Sequence, residues 1–150
     1  MPRIERNASV IWEGNVARGG GAITAENSGA FTSLPYTLAS RIAAPEGKTS
    51  PEELLAAAHG GCITMSLASE LVTAGFPPGR LEVACKIVMD EIEGQGHQIV
   101  ASFVEMTAAV DGLDDPTLQT VVTKADEGCP FSALLKRSGA EVHVSARLAV

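Results

Sequence analysis

The segment that most constrains the fold is residues 49–71, which read TSPEELLAAAHGGCITMSLASEL. It opens with a strong helix start signal: Ser50 is a suitable N-cap, Pro51 suits the first turn, and Glu53 follows three residues after the cap. Gly75 and the two prolines after it end the segment. The predicted helix has about 24 residues and a length of about 36 Å. We expect a helix this long to be the central element of a chain of 150 residues.

Composition restricts the classes of protein that this chain can be. With 45% hydrophobic and 19% charged residues it is typical of one globular domain, here residues 1–150. Aromatic residues make up only 4%, so the core must be built from Ala, Val, Ile and Leu or be completed by a second subunit. The formal net charge of −7, with no basic run, argues against a nucleic-acid partner.

The N-terminal sequence MPRIERNASVIW lacks the apolar core of a signal peptide. No uninterrupted apolar run approaches the roughly 20 residues of a membrane span. We therefore expect a cytoplasmic protein without a membrane partner. Three cysteines at wide spacing, Cys62, Cys85 and Cys129, are a poor structural disulfide framework. In a reducing compartment, a disulfide among them is expected to be transient and catalytic.

Predicted strands flank the long helix. Residues 8–26 indicate two strands joined by a turn near Asn15, with a bulge or bend at the glycine run 19–21. Residues 34–45 are predicted to be irregular, with a short strand around Tyr36 to Ile42.

The second half of the chain predicts a hairpin, two helices and a final strand. Residues 80–91 alternate between apolar and polar, which is typical of a half-buried strand, and they pair with a strand at about 98–110. A helix is predicted from Asp115 to about Glu127, a short helix from Pro130 to Arg137, and a strand in the tail EVHVSARLAV. The fold class is therefore α+β, with largely antiparallel sheets around two main helices.

Cys62 lies in the middle of the long helix, directly after Gly60 and Gly61. Each glycine costs about 1 kcal/mol relative to alanine in a helix interior. Small residues allow another backbone, or a substrate, to approach closely. Taken alone, this stretch favours tight helix packing around an inert buried cysteine, because buried free cysteines are common.

Cys129 is predicted to be an N-cap, because Gly128 ends one helix and Pro130 suits the start of the next. Helix N-termini favour negative charge and lower the pKa of a thiol. The two cysteines are 67 residues apart in the chain. Stacked helices would allow them to approach within disulfide distance, which is about 4.4–6.8 Å between Cα atoms.

Four segments carry a resemblance to a known family. PEELLAAAHGGCITMSLA and ADEGCPFSALLK resemble the two cysteine motifs of the OsmC/Ohr family, which comprises osmotically inducible protein C and the organic hydroperoxide resistance proteins. LPYTLASR, ending at Arg41, resembles the arginine segment of the OsmC branch, and WEGNVARGGGAIT resembles the N-terminal strands. The Gly60–Gly61 pair departs mildly from the family pattern, in which alanine is more usual.

The resemblance implies a thiol-dependent peroxidase that reduces organic hydroperoxides in an intertwined homodimer. Carried over, Cys62 is the peroxidatic thiolate, Cys129 resolves it as a disulfide, and Arg41 with Glu52 organises the site. The implied reductant is a dithiol of the lipoyl type, small or protein-bound, and no metal or bound cofactor is implied. Arg18, beside the glycine run, is the competing arginine.

Helix geometry adds an expectation about subunits. Glu52 lies ten residues before Cys62, or about 15 Å along the axis of one helix. If both serve one site, Glu52, and with it Arg41, is expected to come from the partner subunit of an obligate dimer.

Two other functions stay open. His59 lies three residues before Cys62 on roughly one helix face, so a Cys62–His59 pair could support acyl transfer or hydrolysis. The second open function is non-enzymatic: a stress-related dimer whose pocket binds an apolar ligand. Cys85 is predicted to be a buried, inert residue of its strand, and the Cys and His residues lack zinc-type spacing.

Overall fold

The computed structural model describes all 150 residues, which divide into two compact units, Met1–Leu54 and Leu55–Val150. The first unit holds a three-stranded antiparallel sheet in the order β1-β2-β3 and one short helix. These elements are β1 (Ala8–Glu13), β2 (Gly20–Ala25), β3 (Leu34–Tyr36) and α1 (Leu38–Ile42).

The prediction of a strand around Tyr36 to Ile42 is wrong over most of its length, because α1 occupies it. Thr37 caps this helix: its hydroxyl accepts the N–H of Ser40, and the Ser40 hydroxyl accepts the N–H of Thr37. This reciprocal cap stabilises the helix start. Only β3, which ends at Tyr36, matches the predicted strand.

The glycine run 19–21 does not form the predicted bulge or bend. Gly20 and Gly21 lie in β2, in regular register with Glu13 and Trp12. A Cβ on Gly21 would lie 2.4 Å from the Tyr36 ring and 2.8 Å from the Trp12 ring. The glycine therefore makes room for the Trp12–Tyr36 aromatic pair, whose ring centroids are 5.4 Å apart.

The long helix α2 runs from Pro51 to Thr73, as predicted. The backbone N–H of Glu53 donates to the Ser50 hydroxyl at 3.2 Å, which satisfies a free amide of the first turn. Four fully buried side chains at intervals of four residues form its inner face: His59, Ile63, Leu67 and Leu71. By length and hydropathy alone α2 could also cross a membrane, but core helices pass the same test.

The second unit packs α2 and two further helices with a sheet of order β4-β5-β6. Its elements after α2 are β4 (Arg80–Ile92), β5 (Gly96–Ala109), α3 (Asp115–Gly128), α4 (Pro130–Arg137) and β6 (Glu141–Leu148). β4 and β5 form the predicted antiparallel hairpin, whereas β6 pairs with β5 in parallel. The predicted α+β class with largely antiparallel sheets is confirmed, with the β5–β6 pair as the exception.

The core of this unit is aliphatic, as the low aromatic content predicts. Its buried members come from α2, β5, α3 and the loops around them, and Cys129 is one of them. Cys62 packs against the edge of this cluster. The cysteines therefore lie where the helices meet the hydrophobic core.

Candidate functional site

The structure brings Cys62 and Cys129 together. The Cys62 side chain is in hydrogen-bond contact with that of Cys129, and both are free thiols. Cys129 is fully buried, while Cys62 is half-buried. The C-terminal end of α3 is tied to α2 one turn after Cys62, because the Ser66 hydroxyl donates to the Ala125 carbonyl at 2.9 Å. This hydrogen bond holds the end of α3, and with it Cys129, close to the middle of α2.

Cys129 is the junction of two helices, as the sequence predicts. It is the C-cap of α3 and the N-cap of α4, where Pro130 takes the first position. Its sulfur accepts the backbone N–H of Ser132 at 3.5 Å. The thiol therefore substitutes for the hydroxyl or carboxylate that usually caps a helix.

The surroundings of Cys62 favour the protonated thiol. Burial is the main cause that raises the pKa of Cys62, and the hydrogen bond to Cys129 raises it further. The backbone N–H of Phe131, in the first turn of α4, donates to the Cys62 sulfur and lowers this pKa by less. The residues around Cys62 thus supply one amide that favours the thiolate, and the predicted reactive thiolate requires a further positive group.

The two glycines before Cys62 have different environments. Gly60 is buried, and a Cβ built on it would lie 3.3 Å from the Cβ of Cys85 on β4. Gly61 is exposed, and a Cβ there would meet nothing within 4 Å. Gly60 therefore permits the close packing of α2 on the sheet, and Gly61 has no such role in this chain.

His59 is at the centre of a buried polar cluster. Its Nδ1 lies 2.8 Å from the Ser102 hydroxyl, and its Nε2 lies 2.8 Å from the Ser132 hydroxyl. The Cys85 sulfur lies 3.8 Å from Nδ1 and 3.5 Å from the Ser102 hydroxyl, so Cys85 borders the cluster. Ser102 and Ser132 were not identified from the sequence, because nothing in the pattern of a strand or a helix start marks a serine as a histidine partner.

Arg41 and Glu52 form an ion pair in the first unit. The guanidinium donates from Nε to Glu52 Oε1 at 2.8 Å, and Nη2 donates to the same oxygen. The helix that carries Arg41 is fixed next to the start of α2, because the Ser40 hydroxyl donates to the Thr49 carbonyl at 2.7 Å. Glu52 Oε2 is buried without a hydrogen-bond partner. The carboxylate thus holds the arginine and retains one unused acceptor.

A small cavity of about 110 Å³ adjoins Arg41. Trp12, Tyr36 and Leu38 are among its walls, so it is mainly apolar with one cationic side. A larger groove of about 610 Å³ crosses the polar face of the β4-β5-β6 sheet, but none of the cysteines lines it. We regard the smaller cavity as the better candidate for binding an apolar group next to a cation.

The remaining candidates lie outside these contacts. Arg18 is exposed and lines a separate groove with the glycine run. His97 is exposed at the start of β5, and His143 stacks on Phe103 with ring centroids 4.9 Å apart. The structure has no group of three or more His, Cys, Asp or Glu residues placed to hold a metal ion.

Comparison with known proteins gives a consistent family assignment. Residues 44–145 match the family model described as OsmC-like protein. The chain is 35% identical over 133 residues to a protein of Escherichia coli K12 named peroxiredoxin OsmC, which covers 89% of this chain and 91% of that protein. It is 34% identical over 85 residues to the organic hydroperoxide resistance protein of Xanthomonas axonopodis pv. citri, covering 56% of this chain and 57% of that one.

Solved structures agree on the fold. The organic hydroperoxide resistance protein OhrB of Bacillus subtilis superposes with a TM-score of 0.70 at 24% identity, covering 94% of this chain and 98% of that one. An OsmC-like protein of Mycoplasma pneumoniae gives a TM-score of 0.77 at 9% identity, covering 98% and 99%. At these identities the likeness concerns the fold alone.

Proposed function

We propose, from the premise that the chain belongs to the OsmC-like protein family, that it is a thiol-dependent peroxidase that reduces organic hydroperoxides to alcohols. The names of its relatives support a peroxide-related redox role. The observation that carries the finer proposal is the contact between the side chains of Cys62 and Cys129. Two thiols in contact, one of them half-buried and accessible, suit a cycle of oxidation and disulfide formation.

The first step consumes the hydroperoxide. The Cys62 thiolate attacks the outer oxygen of R–O–O–H, and the O–O bond breaks. The alkoxide leaves and takes up a proton as the alcohol, while Cys62 becomes a sulfenic acid. The Phe131 N–H, which donates to the Cys62 sulfur, stabilises negative charge there before the attack.

The second step closes the disulfide. The Cys129 sulfur attacks the sulfenic sulfur, the S–O bond breaks, and the oxygen leaves as water with the thiol proton. An external dithiol of the lipoyl type then reduces the disulfide by two thiol–disulfide exchanges and itself becomes a cyclic disulfide. No metal or bound cofactor takes part in this cycle.

Arg41 is the group that we assign to offset the raised pKa of Cys62. A guanidinium near the sulfur favours the thiolate and donates hydrogen bonds to the peroxide. Glu52, hydrogen-bonded to two of its nitrogens, fixes the orientation of the guanidinium.

We propose further that Arg41 and Glu52 serve the cysteines of a partner subunit. Glu52 and Cys62 are separated by about 15 Å along α2, which is continuous. The outer face of α2 supports a dimer: Met65 and Val72, seven residues apart, are both exposed. Only 22% of an apolar 18-residue window of α2 is buried within the chain, so much of this helix is left uncovered.

The competing acyl-transfer function is less well supported. Both ring nitrogens of His59 are hydrogen-bonded to serine hydroxyls, so neither is available as a base for Cys62. A pocket that only binds an apolar ligand would give no chemical role to the contact between Cys62 and Cys129.

The test measures consumption of cumene hydroperoxide with dihydrolipoamide by the wild type, Cys62→Ser, Cys129→Ser and the matched control Cys85→Ser. We expect turnover in the wild type and Cys85→Ser, none in Cys62→Ser, and a single stoichiometric oxidation in Cys129→Ser. Turnover in Cys62→Ser, or an inactive wild type with several dithiols, would refute the proposal.

Mixing Cys62→Ser with Glu52→Ala tests the shared site. Subunit exchange should restore activity, because each heterodimer then has one intact site. In that site Cys62 comes from the Glu52→Ala subunit, and Arg41 and Glu52 come from the Cys62→Ser subunit. No rescue, with exchange verified by native mass spectrometry, would assign both half-sites to one subunit.

A further inference from the structure

Behind Cys129 lies a polar cluster that the proposed chemistry does not use. His59, Ser102 and Ser132 are each fully buried, and both imidazole nitrogens bond to a serine hydroxyl at 2.8 Å. A neutral imidazole has one N–H and one bare nitrogen, so one serine accepts a hydrogen bond and the other donates one. A cluster satisfied in this way is rigid, since breaking either bond leaves a buried polar group unpaired.

Ser132 joins this cluster to the cysteine pair. It lies in the first turn of α4, where its backbone N–H donates to the Cys129 sulfur at 3.5 Å. Its hydroxyl bonds to Nε2 of His59, which lies on the same helix as Cys62. Ser102, by contrast, lies on β5, and its other neighbour is the Cys85 sulfur. Only the Ser132 side of the cluster touches the turn that carries Cys129.

We propose that His59 is a positioning residue that, through Ser132, anchors the first turn of α4 to α2 so that Cys129 meets the oxidised Cys62. This inference rests on the proposed function. In the resolving step the two sulfurs must close from hydrogen-bond contact to the roughly 2.05 Å of a disulfide. With the turn anchored, only the Cys129 side chain and its local backbone need to move, and the effective concentration of the thiol stays high.

The electrostatics of His59 agree with a positioning role. Burial lowers the pKa of His59, and Lys136 lowers it further, while Asp126 raises it. The imidazole is therefore neutral near pH 7, in the state that bonds to both hydroxyls without a net charge in the core. Lys136 on α4 and Asp126 on α3 are themselves paired at 2.6 Å across the Cys129 turn.

The experiment separates the two sides of the cluster. In His59→Gln the amide reaches the position of Nε2, so this variant retains the hydrogen bond to Ser132. In His59→Asn the amide reaches the position of Nδ1, so this variant retains the hydrogen bond to Ser102. Ser132→Ala and Ser102→Ala form the matched pair, with Ser132→Thr as a variant that keeps the hydroxyl. Single-turnover reactions with cumene hydroperoxide measure sulfenic acid formation by dimedone trapping, and disulfide formation by mass spectrometry.

We expect disulfide formation to slow about tenfold in Ser132→Ala and His59→Asn, which corresponds to about 1.4 kcal/mol of barrier. Ser102→Ala, His59→Gln and Ser132→Thr should stay within about twofold of wild type, and sulfenic acid formation should be unchanged in all five. Equal slowing in Ser132→Ala and Ser102→Ala, or no slowing in either while the wild type closes its disulfide, would overturn the inference alone. A wild type that forms no sulfenic acid and no disulfide would overturn the proposed function with it.

Discussion

Two regions of the molecule differ in burial and in charge. The thiol region, made of Cys62, Cys129 and the first turn of α4, is largely buried in the aliphatic core and holds no side-chain cation against the Cys62 sulfur. The arginine region, made of Arg41, Glu52 and the cavity beside them, carries the charge, and the Arg41 side chain is 39% exposed.

Under the proposed mechanism, this difference means that neither region is sufficient for catalysis by itself. Burial protects the thiols and allows them to pair, but it also raises the pKa of Cys62 and so reduces the fraction of reactive thiolate. The Arg41–Glu52 pair is partly exposed on the arginine side and adds only modest stability, so we explain it by orientation of the guanidinium. The shared site that we propose, with each region supplied by a different subunit, would combine a sheltered nucleophile with an oriented cation.

The largest expected effect comes from removing that cation. Arg41→Met should lower kcat/KM for cumene hydroperoxide at pH 7 by about 100-fold, because without the guanidinium nothing offsets the burial that raises the pKa of Cys62. Activity should recover partly as the pH rises, since a larger fraction of the Cys62 thiol is then ionised. Arg41→Lys keeps the positive charge but loses the planar guanidinium, so its kcat/KM should lie between those of wild type and Arg41→Met.

Arg18→Met is the matched control for this prediction, because Arg18 is an exposed arginine of the same unit that does not line the cavity beside Arg41. It should remain within about twofold of wild type. Equal losses of kcat/KM in Arg18→Met and Arg41→Met would show that Arg41 has no special role in the reaction.

A second effect concerns the stability of the thiol region. The folded-state pKa of His59 lies below its unfolded value, so the unfolded chain binds the proton first as the pH falls. This contribution to stability is complete above about pH 6.5 and is lost as the pH falls through the folded pKa. The free energy of unfolding should fall up to about 1.4 kcal/mol per pH unit more steeply in the wild type than in His59→Gln. Urea titrations from pH 4.5 to 7.5 measure both slopes, and parallel slopes would show that His59 does not titrate with folding.

The smallest effect distinguishes the two glycines before Cys62. Gly61→Ala should stabilise α2 by about 0.5–1 kcal/mol, because the added methyl enters open space and alanine is the better helix former. Gly60→Ala should lose most of this gain or destabilise the fold, because its methyl presses on the Cβ of Cys85 at 3.3 Å. Thermal unfolding of the two variants checks the difference, and equal midpoints would contradict the packing role of Gly60.

Local signals in the sequence predicted most of the elements. The start of α2 and the junction at Cys129 were predicted correctly, because caps and prolines act within one turn. Helix α1 was missed, because its cap is a Thr37–Ser40 pair without the usual acidic residue, and five residues are too few for a periodic pattern.

Long-range features could not be predicted in the same way. The parallel pairing of β6 with β5 depends on the crossover through α3 and α4, which leaves no mark in the alternating pattern of β6. The His59 cluster depends on serines that lie 43 and 73 residues further along the chain. The sequence allowed contact between Cys62 and Cys129, but only the packed helices bring the two thiols together.

The most direct measurement is the fate of the three thiols after one equivalent of cumene hydroperoxide. The protein is quenched in acid, the free thiols are alkylated, and the peptides are identified by mass spectrometry. We expect a Cys62–Cys129 cross-linked peptide with Cys85 alkylated, and full recovery of all three thiols after dihydrolipoamide. A cross-link that involves Cys85, or a Cys62 that is overoxidised while Cys129 remains a free thiol, would contradict the pairing on which the proposed mechanism depends.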